Sequence, residues 1–360
     1  MNVLINATSA RLGGGITVLR HLLPALLRED KGAHRYTVAA RAEVARIVDP
    51  QGDRLRFFTP LAAGETFARV LWEQGALPFR KADVLLSVGN VGMLAGRTPQ
   101  VLLFQNAAPF DAQVRSRASW RARGRLEALR ALGIASARRA ERVVFLSESA
   151  RELLLPQLGI PRERTRVVYL GHDPIFRPNG AAEDSSVLCV SQLYFYKNIV
   201  ELLRGFALAQ LPGARLDVAG AQPDEPYSRA VREEIARLGL SQSVRLLGAV
   251  PYEDLPKLYA SARVFAFPST CESFPNILVE ALAAGAPVAC SRLGPMPEIC
   301  GDAARYFDPF DPEEIAARLR ELWQDAAARS ELRRKGPLRA AQFTWAEAAR
   351  GLLQALAEAK

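Results

Sequence analysis

The feature that most constrains this chain is a series of short apolar runs without polar alternation, separated by stretches of helical periodicity. In the first half Asn2 to Ala7, Tyr36 to Ala40, Val84 to Val88, Val101 to Phe104, Val143 to Leu146 and Arg166 to Tyr169 read as strands. In the second half Val187 to Val190, Arg215 to Ala219, Val244 to Leu247, Val264 to Phe267 and Val288 to Cys290 do the same. A strand that is apolar on both faces must be covered on both, and helices such as 16–29, 198–210 and 226–238 supply the cover. The pattern therefore predicts parallel sheets between helical layers, that is, α/β doubly wound domains. At 360 residues the chain is too long for one core and suits two.

The best place for a boundary is the stretch from Gly171 to Ser186, where Pro, Gly, Asn and Ser gather with no periodicity. This gives a first domain over 1–175 and a second over 176–342. A helix begins near Trp345 with Thr344 as its N-cap, preceded by another at about 329–342, so 343–360 is expected as a separate C-terminal helix. Apolar residues at 49% and the lack of low-complexity tracts exclude disorder. Neither a secretory leader nor roughly 18 uninterrupted apolar residues is present, so the expected location is cytoplasmic, or peripheral on the inner face of a membrane. Cys189, Cys271, Cys290 and Cys300 have neither the spacing nor the His neighbours of a metal or disulfide framework, and they read as structural thiols.

The net charge of +9 is uneven: residues 1–180 hold 27 Lys and Arg against 15 Asp and Glu. Within 115–142 there are nine arginines, opposed by only Glu127 and Glu141. Such a patch suits an anionic membrane surface or a phosphorylated acceptor. Because Arg outnumbers Lys throughout, a plain solvated face explains the cluster as well. With Trp120 as the single aromatic residue among these arginines, the stretch offers no series of rings for base stacking, and nucleic acid is not an expected partner.

Three places carry candidate chemistry. Gly13 and Gly14, with Gly15, follow the first strand and open a helix, where backbone amides can approach an anion, although a tight turn explains them too. Lys197 lies just past the first strand of the second domain and can neutralise phosphate charge. The run Cys271-Glu272-Ser273-Phe274-Pro275-Asn276-Ile277-Leu278-Val279-Glu280 follows strand Val264 to Phe267 and predicts a helix with Ser273 or a neighbour as N-cap and Pro275 in its first turn. Asn276 and Glu280 share a face expected to stay open, opposite Leu278 and Leu282. If the whole stretch were helical, Glu272 and Glu280 would lie roughly 12 Å apart.

With Gly13 to Gly15, Ser147, the linker from Gly171 to Pro178, Lys197-Asn198, Glu272 to Glu280, Gly285-Ala286-Pro287, Pro297-Glu298 and Phe343-Thr344-Trp345, the sequence resembles the retaining glycosyltransferases of family 4 (glycosyl transferases group 1). The resemblance implies the GT-B fold, two Rossmann-like domains facing across a cleft with the C-terminal helix crossing back to the first. It also implies transfer of a hexose-like sugar from a UDP- or GDP-linked donor to a glycan or lipid-linked acceptor in cell-surface polysaccharide synthesis. Glu272 would contact the donor sugar and Glu280 the ribose, with Ser273, Phe274, Pro275 and Asn276 around sugar and phosphate. Lys197 and the amides of Gly13 and Gly14 would stabilise the leaving diphosphate without a metal or other cofactor. Asn106 follows Gln105 where relatives often have His-Asp near the acceptor. His172 belongs to the linker pattern and has a structural role, and His21 and His34 are incidental. Gln192 stands where many members have an arginine, which leaves open a catalytically weak or inactive protein that binds nucleotide sugar without turnover. A sugar-nucleotide epimerase would need more acid–base groups than the three histidines and this glutamate pair offer.

Overall fold

A computed structural model describes residues 1–10, 14–48, 53–60, 66–77 and 80–360. The chain divides into two compact units, Met1–Gly171 with Thr344–Lys360, and His172–Phe343.

The first unit contains β1 (Asn2–Asn6), α1 (Gly14–Glu29), β2 (Arg35–Ala39), α2 (Ala42–Val48), β3 (Leu55–Phe58), α3 (Thr66–Gly75), β4 (Val84–Val88), β5 (Gln100–Phe104), α4 (Ala112–Arg117), α5 (Trp120–Arg139), β6 (Arg142–Phe145), α6 (Glu148–Leu158) and β7 (Thr165–Val167). Its seven strands are parallel, in the order β3-β2-β1-β4-β5-β6-β7. β4 and β5 are buried at every residue, the consequence of their unalternated sequences. β3, which the periodicity passes over, is a short edge strand with a charged residue inside it, Leu55-Arg56-Phe57-Phe58. One side of the β5–β6 region packs Leu102, Phe104, Val143 and Phe145 against Ala137, Ala150 and Leu154.

The second unit contains β8 (Ser186–Val190), α7 (Ile199–Ala209), β9 (Arg215–Ala219), α8 (Glu225–Arg237), β10 (Val244–Gly248), α9 (Leu255–Ser261), β11 (Val264–Phe267), α10 (Asn276–Ala283), β12 (Val288–Ser291), α11 (Met296–Cys300), β13 (Ala304–Phe307), α12 (Pro312–Gln324) and α13 (Ala326–Ala340). The strand order β10-β9-β8-β11-β12-β13 is that of a Rossmann sheet, all parallel. β13 is the other strand absent from the sequence reading, since Arg305 and Tyr306 interrupt its apolar run. A core of Val187, Val218, Val264, Ala266 and Ala289 is closed by Leu202, Phe206, Ile315 and Leu319 of the helices over one face.

The units meet the chain at slightly different places from the expected 175/176 and 342/343. Phe176 is buried and sets its ring edge-on to Tyr252 and Tyr259, at 5.2 and 5.8 Å, so the linker from His172 onward packs with the second unit. The His172 imidazole donates from Nδ1 to the Phe343 carbonyl at 3.0 Å, which fixes both ends of that unit. α14 (Trp345–Ala359) lies on the first unit, against α1 and β6, with Thr344 Oγ1 accepting from the Glu347 amide at 3.1 Å. His21, expected to be incidental, stacks on Trp345 at 5.5 Å and helps seat that helix.

Candidate functional site

In a Rossmann sheet ligands bind beyond the carboxyl ends of the strands, where the strand order reverses. In the second unit that point lies between β8 and β11, and the loops that follow these two strands carry Lys197 and Glu272. The first loop is shaped by hydrogen bonds from the Ser191 and Leu193 amides to the carbonyls of Ala219 and Ala221. A single 3-10 turn over Phe195–Lys197 follows and ends at Asn198 in the left-handed conformation, φ 61°. Asn tolerates that conformation, and its Nδ2 donates to the Pro309 carbonyl at 2.5 Å. Thr270, in the second loop, donates to the Tyr196 carbonyl from both its amide, at 2.8 Å, and its hydroxyl, at 3.0 Å. The two loops are thus tied one residue from Lys197 and two from Glu272.

Lys197 Nζ donates to Glu272 Oε1 at 2.6 Å, and the two side chains are only 14% and 12% exposed. The ammonium also sits 5.5 Å from the Tyr196 ring and 5.9 Å from that of Phe267. Spacing alone did not foretell this pair, since 75 residues separate its members; the expectation for Lys197 was a phosphate. Pairing with a carboxylate aims the largely buried ammonium, and an arriving anion must compete with Glu272 for it.

The helix after Glu272 begins later than expected. Ser273 is not its N-cap and Pro275 is not in its first turn; α10 opens at Asn276, with Pro275 in the cap position and no side-chain cap. The Pro275 ring fixes φ near −85°, its carbonyl accepts from the Leu278 and Val279 amides, and the Asn276 amide turns back to the Phe274 carbonyl at 3.0 Å. The Asn276 amide is therefore already engaged within the loop. Because 272–275 is not helical, the 12 Å reckoning for a continuous helix does not hold. Ser273 and Phe274 are buried, and the Phe274 ring meets Phe343 edge-on at 5.9 Å. Asn276 Oδ1 is buried with no hydrogen-bond partner among the described residues. A buried acceptor of this kind is satisfied when a donor such as a hydroxyl or ammonium is brought to it.

Glu280 does not lie on an open polar face. It is 5% exposed, and Tyr259 donates to Oε2 at 3.2 Å while Tyr252 reaches Oε1 at 3.5 Å. Burial pushes its carboxyl up to about 8; the two phenols oppose the shift and the nearby Asp173 adds to it. The same burial and the Glu280 charge hold the Tyr259 hydroxyl well above its usual value, so it remains a donor. Neither tyrosine is signalled in the sequence, because 21 and 28 residues separate them from Glu280. Burial holds the His172 imidazole below its ordinary value, hence neutral at physiological pH, in keeping with a structural role.

In the first unit Gly13 lies outside the described residues and Gly14 is the first residue of α1. Asn106 is exposed, in the loop after β5. Asn90, which sequence reasoning missed, clamps that loop: its Oδ1 accepts from the Gln105 and Asn106 amides at 3.1 and 3.0 Å, and its Nδ2 donates to the Asn106 carbonyl at 2.5 Å. Asn106 Oδ1 in turn accepts from the Ala108 amide at 3.0 Å. Beside β1 a buried group joins Asn6, Thr8 and Arg69 to Glu73, with Arg69 Nη1 2.8 Å from Glu73 Oε1.

Residues 173–339, nearly all of the second unit, match the family described as glycosyl transferases group 1. The O-antigen chain mannosyltransferase B of Escherichia coli is 30% identical over 219 residues, 57% of this chain and 58% of that protein. The chain spans about half the length of the curated relatives it matches. Among solved structures, sucrose-phosphate synthase from Thermosynechococcus elongatus superposes with a TM-score of 0.78 at 18% identity, covering 98% of each chain. Anabaena HepE in complex with UDP-glucose superposes with a TM-score of 0.78 at 21% identity, covering 99% of each. The fold is that of the GT-B glycosyltransferases, two Rossmann-like α/β domains.

Proposed function

We propose that the protein is a retaining glycosyltransferase that moves a hexose-like sugar from a UDP- or GDP-linked donor to a glycan or lipid-linked acceptor in cell-surface polysaccharide synthesis. The observation that carries this reading is the grouping of Lys197, Glu272, Asn276 and buried Glu280 around the carboxyl ends of β8 and β11, in a unit that matches the glycosyltransferase family. The relative named for O-antigen chain synthesis supports the class of acceptor.

In this reading Glu280 accepts from the ribose hydroxyls while the two tyrosines hold its carboxyl in place. Glu272 engages hydroxyls of the donor sugar, and the donor's arrival frees Lys197 to meet the diphosphate. The charge that builds on the leaving diphosphate is then met by a fixed ammonium, an electrostatic contribution of roughly 3–4 kcal/mol to the transition state. Lys197 serves this purpose without a metal. Ser273, Phe274 and Pro275 shape the wall beside the sugar, and the Asn106 loop of the first unit takes part in acceptor binding. We place the protein in the cytoplasm, peripheral on the inner face of the membrane, with the 115–142 arginine cluster toward it.

The test incubates the protein with UDP- and GDP-sugars, with and without membrane extract and with and without EDTA, and measures release of the nucleoside diphosphate. Release that depends on extract and is indifferent to EDTA is expected. Donor binding without release would replace this reading with a non-catalytic sugar-nucleotide binder, the outcome that Gln192 in place of an arginine favours. Release abolished by EDTA would remove the metal-independent mechanism.

A further inference from the structure

The arginine cluster is not one uniform surface. Arg115 pairs with Glu127 at 2.9 Å, and Arg138 donates to the Leu158 carbonyl. Arg139 holds Glu141 and the Gly96 carbonyl, and Arg142 pairs with Glu358. These groups are spent on tying the first unit together. The first turns of α5 differ. Every residue from Ser119 to Arg125 is exposed, in the order Ser-Trp-Arg-Ala-Arg-Gly-Arg, and Trp120 at 78% is the most exposed large hydrophobic side chain among the described residues. Arg121 lies 5.0 Å from the Trp120 ring, and Arg123 and Arg125 form no ion pair among the described residues.

Length accounts for this exposure. A 20-residue helix is about 30 Å long, whereas five-residue strands such as β5 span about 17 Å. The buried residues of α5 are Gly133, Ser136 and Ala137, all in its second half, and α5 feeds directly into the start of β6. Its first half therefore overhangs the carboxyl edge of the first unit's sheet, the edge that carries Asn90 and Asn106. An overhanging helical end with no buried residue, a glycine at position 124 and a bare tryptophan gains little from the folded chain by itself. A tryptophan beside three arginines matches the headgroup region of a bilayer with anionic lipid: the indole sits at the boundary with the acyl chains and each guanidinium meets phosphate.

We propose that the overhanging end of α5, Trp120 with Arg121, Arg123 and Arg125, is the anchor that docks the protein on an anionic lipid surface. Docking there turns the carboxyl edge of the first unit's sheet toward the bilayer, where a lipid-linked acceptor is presented. This extends the reading of such an acceptor, but its test is scored without donor or turnover and so stands or falls separately.

The full chain is sedimented with vesicles of phosphatidylcholine alone and of phosphatidylcholine with 30–40% phosphatidylglycerol, a composition of the order that gives a strong surface potential. The comparison includes Trp120→Ala and Arg121→Glu/Arg123→Glu/Arg125→Glu, substitutions at exposed positions that leave thermal unfolding unchanged. The expected result is selective binding to anionic vesicles, weakened about fivefold or more per charge removed in the triple variant and at least severalfold by Trp120→Ala. Binding that ignores lipid charge overturns the proposal, as does full binding by either variant. A dimer that Trp120→Ala converts to monomer, with vesicle binding unaltered, would assign the patch to self-association and overturn it too.

Discussion

At the scale of single residues the decisive group is Glu280. In the unfolded chain its carboxyl ionises near 4.5, and burial raises it to about 8 in the folded protein. Between those values the folded state holds more protons, so this group's contribution to stability falls as pH rises from about 4.5 to about 8, at a slope approaching 1.4 kcal/mol per unit. Glu280→Gln keeps an acceptor for the tyrosines and removes the titration. Its thermal unfolding should match wild type near pH 5 and exceed it at pH 8, while nucleotide binding by calorimetry weakens roughly tenfold. Wild-type affinity should rise with pH as the carboxylate forms, and the variant's profile should be flatter. Lys197 gives a different signature. Lys197→Met leaves Glu272 without its partner at 2.6 Å and, in the proposed mechanism, removes the cation that meets the leaving diphosphate, so sugar-nucleotide turnover should drop roughly 10²-fold or more. A drop of less than threefold would take Lys197 out of the mechanism.

At the scale of elements the site depends on two loops held by backbone contacts with no catalytic character. Gly220, just after β9, lies so close to the loop after β8 that an added Cβ would stand 1.9 Å from the Ser191 carbonyl oxygen. Gly220→Ala must push that loop away, and the loop carries Gln192 and Lys197. A stability loss of about 2–3 kcal/mol is expected in denaturant unfolding, together with weaker nucleotide binding. Unchanged affinity with lowered stability would show that the loop's position does not set the site. Most strands and the helices over 16–29, 198–210 and 226–238 were legible in the sequence to within a residue or three, because burial leaves a regular apolar signal, whereas the arginine-rich α5, the longest helix, was not read as one. β3 and β13 were not legible either, since edge position and single charged residues erase that signal. The start of α10 was misread because a serine followed by a proline looks like a cap, whereas the Pro275 carbonyl itself begins the helix.

At the scale of the whole molecule the last helix belongs to the first unit, although the chain reaches it after completing the second. Trp345, Ala348, Leu352, Ala355 and Leu356 of α14 are buried against that unit, and Gly171 approaches Trp345 so closely that a Cβ would fall 2.2 Å from its backbone nitrogen. A chain ending at Phe343 would expose this apolar face, and burial at about 25 cal/mol per Å² makes the loss several kcal/mol. Calorimetry of the truncated chain should show the first unit melting early or not folding, with the second unit's transition nearly intact. A fragment of His172–Phe343 should fold alone. Loss of both transitions on truncation would mean that the units do not unfold separately.

The sequence by itself determined the α/β class, the two-domain plan and the family resemblance, and it singled out Lys197, Glu272 and Glu280 as candidates. Each of these is a local record: a strand buried on both faces, a break in periodicity, a motif after a strand. Only the tertiary structure decided that Lys197 is held by Glu272, that Glu280 is buried under Tyr252 and Tyr259, and that three of nine clustered arginines stand on an overhanging helix end. Those depend on which distant residues the sheet order brings together and on how far a helix outruns its strands, and neither quantity is written at any one place in the chain.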